Sequence, residues 1–188
     1  MLQQYWHLGA VAVVLGVSGV SDARSGRIPN AVTYPAFALG LIGHTLGGGL
    51  GGEPAGLGLF GALAGAAMGA VLLPVWLAGG IGGGDAKLMI AVGALTGWQF
   101  ALATMFWGFL VAAAMALIVM LRRRILRRTL GRIGRYVYVA LGGAKPADPT
   151  GEQSPRVPFG LALCVGAAAA VGEMLILGRP LLQRAVEG

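Results

Sequence analysis

Apolar residues along this chain come in six long blocks, parted by short polar or glycine-rich breaks. They run at about 3–21, 32–47, 56–78, 86–97, 99–121 and 157–178. Most approach the ~20 residues that carry a helix across ~30 Å of hydrocarbon. The pattern predicts an all-α fold, a polytopic membrane helix bundle of about six transmembrane helices. The fourth block is the short one. A dozen residues rising about 1.5 Å each reach roughly 18 Å, so this helix must tilt, extend into its neighbour or begin below the membrane surface. The third block carries Gly61, Gly65 and Gly69, small residues at every fourth position on one face. Small faces let helix backbones approach closely in lipid, so a tight helix contact is expected there.

Composition agrees. The chain of 188 residues is 56% hydrophobic and 11% charged, with a mean hydropathy of +0.77, whereas a water-soluble domain carries about 25% charged residues. Six spans leave no room for a separate soluble domain, and residues 1–188 are expected to form one membrane-embedded domain. Met1–Gln4 hold no Lys or Arg, while Arg24 and Arg27 follow the first block. That is the reverse of a secretory signal, so the block is expected to remain as a helix with its amino end outside. Alternation then puts 22–30, 79–85 and 121–156 inside and 47–55 outside. The 121–156 loop holds Arg122, Arg123, Arg124, Arg127, Arg128, Arg132, Arg135, Lys145 and Arg156, and the outer loop holds no Lys or Arg. Basic residues inside are what topology requires; only Arg179 and Arg184 in the tail run mildly against it.

The net charge of +7 is thus a membrane signal, and no nucleic-acid partner is expected. The basic loop either anchors topology on anionic lipid headgroups or docks a cytoplasmic partner. Pro146, Pro149, Gly151 and Pro155 make its later half an irregular connector. Cys164 is the only cysteine, and His7 and His44 are isolated in the sequence. No disulfide and no metal site are expected from that inventory, and no cofactor.

Seven acidic residues remain. Glu53, Asp148, Glu152 and Glu187 fall in loops or the tail, and Glu173 lies near the outer end of the sixth block, where it can snorkel or pair. Asp22 and Asp85 differ. Each sits at the cytoplasmic end of a predicted span, on the same side and at similar depth, although the topology was built from Lys and Arg alone. Ionisable groups at membrane depth are costly and usually face a polar cavity or one another. Two carboxyls at ~3 Å share a single proton, because both cannot ionise cheaply. Such a pair activates water and protonates a leaving amine. The bland readings are a charge paired with Arg24 or Arg27 for Asp22, and a helix cap for Asp85. Before Asp85, Gly82-Gly83-Gly84 permits unusual φ/ψ values and close backbone approach to a substrate.

These stretches carry a resemblance. Asp22-Ala23-Arg24-Ser25-Gly26-Arg27-Ile28-Pro29-Asn30 resembles the first motif of the type IV prepilin peptidases, and Gly82-Gly83-Gly84-Asp85-Ala86-Lys87-Leu88 resembles their Gly-x-Gly-Asp motif. Val157-Pro158-Phe159-Gly160 is similar to a third, weaker signature. The resemblance implies an intramembrane aspartyl peptidase of the bacterial cytoplasmic membrane with Asp22 and Asp85 as its catalytic pair. Its expected partner is a prepilin or pseudopilin precursor, whose basic leader it removes at the cytoplasmic face. Larger members add a four-cysteine zinc region and methylate the new amino terminus. This chain begins at its first span and has one cysteine, so cleavage without methylation is expected, as in the short members that serve Flp (tight-adherence) pili.

Around the pair, Gly82 and Gly84 are expected to shape the Asp85 loop, and Pro29 and Asn30 to start the second helix with Asn30 as its cap. Arg27 belongs to the first motif. Lys87 either tunes the pair electrostatically or snorkels. The rival classes are a small transporter using Asp22 and Asp85 as a proton or ion site, and an assembly protein that recruits partners through its basic loop.

Overall fold

The computed structural model of the chain describes residues 2–51, 58–127, 129–131, 134, 138 and 158–177. All elements among them are α-helices: α1 (Leu2–Ser25), α2 (Asn30–Gly48), α3 (Leu59–Ala70), α4 (Leu73–Leu77), α5 (Gly83–Thr96), α6 (Trp98–Arg122) and α7 (Phe159–Leu177). They divide into two compact units, residues 1–111 with 158–188, and residues 112–157. Glu53, Asp148, Glu152, Glu187, Arg128, Arg132, Arg135, Lys145, Arg156, Arg179 and Arg184 lie outside the described residues.

Where it is described, each apolar block folds as helix, with two departures. α1 runs past the apolar block to Ser25, so Asp22 lies in its last turns and not in a connecting turn. The third block breaks, with α3 ending at Ala70 and α4 starting at Leu73. The reason is Pro74, which has no N–H to give the Ala70 carbonyl and whose ring crowds that turn. Two helical segments, Leu59–Leu77 and Trp98–Arg122, are long and apolar enough by themselves to cross a membrane. α5, with 14 residues, is shorter than such a span.

The surface of the larger unit is apolar. Val13, Val17 and Val20 on α1, Leu39, Ile42 and Leu46 on α2, and Phe106 and Leu110 on α6 are all exposed. Ser18, Asp22, Thr33, His44, Asp85, Thr104 and Glu173 are buried. Apolar side chains outward and polar ones inward suit a lipid surrounding, since water would penalise so large an apolar surface.

At the centre stands α5, against which α1, α2, α3, α4 and α7 pack. The tight contact expected of Gly61, Gly65 and Gly69 is present, as all three are buried. Gly65 meets the Gly93 carbonyl, and Gly69 the Met89 carbonyl. On the other side, a Cβ on Gly40 of α2 would stand 2.6 Å from the Ala94 carbonyl carbon. Three helices therefore meet backbone to backbone, which only glycine admits. On α7, Cys164 behaves as a small half-buried residue, its thiol donating to the Leu15 carbonyl at 2.9 Å.

Away from the aspartates the histidines are not isolated. His44 Nε2 lies 3.0 Å from the Leu95 carbonyl oxygen. Glu173 is buried and accepts a hydrogen bond from Trp107 Nε1 at 2.5 Å. Of the two alternatives for Glu173, it pairs. In the smaller unit, Arg122, Arg123, Arg124 and Arg127 follow the apolar run of α6, and Arg124 turns the chain with a φ of 55°.

Candidate active site

Asp22 near the end of α1 and Asp85 in the first turn of α5 are 8% and 7% exposed. They lie close enough for the charge of Asp22 to bear on Asp85. Burial acts on Asp85 in the same sense, so a second negative charge is disfavoured twice over.

Local sequence holds each carboxylate. α1 closes at Gly26, whose φ of 61° suits glycine and whose N–H reaches the Asp22 carbonyl at 2.8 Å. The chain then folds back, with Ser21 Oγ donating to the Arg27 carbonyl at 2.8 Å. Asp22 makes no ion pair with Arg24 or Arg27 among the described residues. It accepts the Leu161 backbone N–H at 3.1 Å, across 139 residues of sequence. Leu161 is the third residue of α7, a position whose N–H has no partner inside its own helix.

Asp85 is the third residue of α5, and its carboxyl is hydrogen-bonded by the backbone of Gly82, the N-cap. A first-turn carboxylate reaching back to the N-cap N–H is half of a capping box.

The glycines before Asp85 work by size and not by torsion. Gly82 has an ordinary extended backbone, φ −72° and ψ 144°, and Gly83 and Gly84 are helical. Positive φ falls on Gly79 instead. The expectation of unusual φ/ψ at Gly82-Gly83-Gly84 is therefore corrected; what these glycines admit is close approach of neighbouring side chains. A Cβ on Gly82 would stand 3.0 Å from Asp85 Oδ2, one on Gly83 2.8 Å from Trp76 Nε1, and one on Gly84 3.1 Å from Ile28 Cβ. Gly160 does the same from α7, where a Cβ would stand 2.9 Å from both Asp22 Oδ2 and Ile28 Cδ1. Ile28 is therefore an apolar wall between the amino ends of α5 and α7.

Two supporting residues differ from expectation. The N-cap of α2 is Pro29, set in an extended conformation at φ −68° and ψ 133°, with Asn30 as the first helical residue. Proline has its φ fixed near this value, so it can turn the chain into the helix without a side-chain cap. Asn30 is thereby released, and its Oδ1 accepts from Lys87 Nζ at 3.2 Å. The Lys87 ammonium also lies 5.4 Å from the centre of the Tyr34 ring. Lys87 thus joins α5 to α2. Arg27 contributes its carbonyl, and its side chain is exposed.

The partnership of Leu161 with Asp22 could not be read in the sequence. Its only signal was the weak third motif ending at Gly160.

All-helical among its described residues, with an apolar exterior and two buried carboxylates near helix amino ends, the chain has the make-up of a membrane protein. A family model, the type IV leader peptidase family, matches residues 9–117, more than half of the chain. The chain belongs to that family, and is a membrane-associated peptidase. No curated protein and no solved structure matches it.

Proposed function

We propose that this protein is an intramembrane aspartyl endopeptidase that removes the basic leader of type IV prepilin-like precursors at the cytoplasmic membrane face, without methylating the product. The proximity of Asp22 and Asp85 carries this reading. The pair holds one proton. The ionised carboxyl takes a proton from water as its oxygen adds to the scissile carbonyl carbon, and the protonated carboxyl gives its proton to the carbonyl oxygen. Collapse of the tetrahedral adduct breaks the C–N bond: the carboxyl that gained the water proton passes it to the leaving amine, and the other carboxylate takes back its proton from the adduct hydroxyl as C=O re-forms. No metal enters these steps.

The substrate class follows from depth. On the six-span reading, with the amino end outside, both aspartates stand at the cytoplasmic ends of helices. A precursor whose charged leader stays in the cytoplasm while its apolar helix enters the bilayer presents the junction at that level. Arg122, Arg123, Arg124 and Arg127 suit anionic headgroups of the inner leaflet, worth about 1 kcal/mol per cation near the surface. One membrane-embedded domain of about six helices in the bacterial inner membrane accommodates all of this. The described residues hold no separate soluble fold for a methyl donor.

The test is one mass spectrum. Detergent-purified protein, a prepilin-like precursor and S-adenosylmethionine are incubated without added metal. The expected product is cut just before the apolar segment and bears a free amine. Asp22→Ala and Asp85→Ala should each abolish cutting. Full activity in either variant would falsify the catalytic assignment, a methyl adduct would overturn the cleavage-only reading, and an unchanged precursor would favour the transporter reading.

A further inference from the structure

Asp22 takes a backbone donor from a helix that lies beyond the matched family segment, which ends at residue 117. α7 begins at Phe159 behind Pro158. Ordinarily the residue before a helix accepts the N–H of the third residue through a side-chain oxygen. Proline has no such oxygen. The carboxylate of Asp22, projecting from α1, accepts the Leu161 N–H at 3.1 Å instead. A bond from a backbone N–H to an ionised carboxylate is charge-assisted and directional, and the positive end of the helix adds to it. Gly160 is what admits the carboxylate: any Cβ there would press on Asp22 Oδ2 at 2.9 Å and Asp22 Cγ at 3.0 Å.

We propose that Gly160 and the Leu161 N–H are positioning elements of the active site: the amino end of α7 fixes the Asp22 carboxylate in line with Asp85. This rests on the peptidase reading above. Each member of the pair is then aimed by backbone at a helix start, Asp22 by α7 and Asp85 by Gly82 before α5. A carboxylate so held keeps one rotamer while water and substrate come and go, which is the geometry-dependent part of its rate. A misplacement of about 1 Å can cost on the order of 100-fold.

Two variants act on the same bond from opposite sides. Gly160→Ala pushes the carboxylate away. Pro158→Ser supplies a cap from within α7 that competes for the Leu161 N–H, and should leave the helix as stable or more so. Both are assayed in the full chain for kcat, KM, pH profile and thermal unfolding, with Gly172→Ala on the same helix as control, since a Cβ there meets nothing within 4 Å.

The expected result is a kcat lower by about 10- to 100-fold in both variants. KM should stay within about twofold of wild type, and the acid limb of the pH profile should move, because the carboxylate pair has lost a donor. A purely structural role would lower the melting temperature instead, and Pro158→Ser is chosen because it should not. Wild-type kcat and pH profile in folded Gly160→Ala overturn the proposal. If that variant does not fold, Pro158→Ser decides alone, with wild-type kinetics overturning and a kcat loss at unchanged melting temperature supporting. If wild-type protein cuts no precursor, the peptidase reading fails and takes this inference with it. If wild type cuts and the variants match it, only the inference falls.

Discussion

Adding one methyl group at Gly65 is the most direct test of how the bundle holds together. The Cβ of a Gly65→Ala variant would run into the Gly93 carbonyl and stand 2.8 Å from Gly97 Cα. Carbon pairs rest at roughly 3.5–4.0 Å, so α3 and α5 must part by about 1 Å. Every atom met is backbone, and no rotamer change relieves it. Overpacking of this kind costs about 1–3 kcal/mol, and rigid partners favour the upper end. Alanine recovers about 1 kcal/mol of helix propensity over glycine, leaving a net loss near 2 kcal/mol. In a chain of this size that corresponds to a fall in melting temperature of about 4–8 °C. The measurement is thermal unfolding of purified protein in detergent, followed by circular dichroism. Gly16→Ala is the internal control: it is helical and exposed, and a Cβ there meets nothing within 4 Å, so it should hold or gain up to about 1 kcal/mol. A melting temperature at or above wild type for Gly65→Ala would refute the backbone-contact reasoning. So would an equal fall in both variants.

Four further outcomes are expected. Ser18 is fully buried and its hydroxyl has no partner, so Ser18→Ala should raise stability by roughly 1 kcal/mol, as removal of an unpaired buried group does; a lower melting temperature would mean the hydroxyl is bonded. Glu173→Ala leaves the Trp107 N–H without its acceptor and should cost about 1–3 kcal/mol, whereas Glu173→Gln keeps an acceptor and should cost less, with cutting retained in both. Lys87→Ala removes the bond to Asn30 and the contact with Tyr34; it should lower stability by about 1 kcal/mol and leave cleavage within a few fold, and total loss of cutting would put Lys87 in the chemistry. In a Cys164→Ala background, a membrane-impermeant thiol reagent on intact cells should label Gly51→Cys and miss Ala23→Cys until the cells are opened, and the opposite pattern would invert the topology.

How much of this the chain announced depends on the distance over which each signal acts. Helices could be read because apolar blocks are local, and the α3 contact because Gly61, Gly65 and Gly69 repeat on one face. The break before α4 was encoded just as locally, in Pro74, but a block read for hydropathy alone passes over it. Asn30 and Pro29 show the limit of cap rules: the proline's fixed φ started α2, and the asparagine was left to meet Lys87, 57 residues on. The bonds from Leu161 to Asp22 and from Trp107 to Glu173 span 139 and 66 residues. Such pairs depend on which helix faces come together, and no period or composition within one helix carries that.

The short central helix ties packing to chemistry. α5 has 14 residues, or about 21 Å at 1.5 Å per residue, less than the ~30 Å of hydrocarbon. Facing lipid, a helix that short would leave terminal backbone groups unsatisfied, at several kcal/mol each. Facing protein, it escapes that requirement: Leu88, Ala91, Val92 and Leu95 have no exposed surface, and Gly40 and Gly65 bring neighbouring backbones against it. Its amino end can then lie among Gly82, Trp76 and Ile28, where Asp85 is buried beside Asp22. The glycines that admit these neighbours are therefore a condition of the carboxylate pair, although Gly65 touches neither aspartate. A methyl group at Gly65 that moves α5 should also move Asp85 relative to an Asp22 held from α7. Cleavage by Gly65→Ala should accordingly fall even at temperatures where the variant remains folded, while Gly16→Ala keeps its rate.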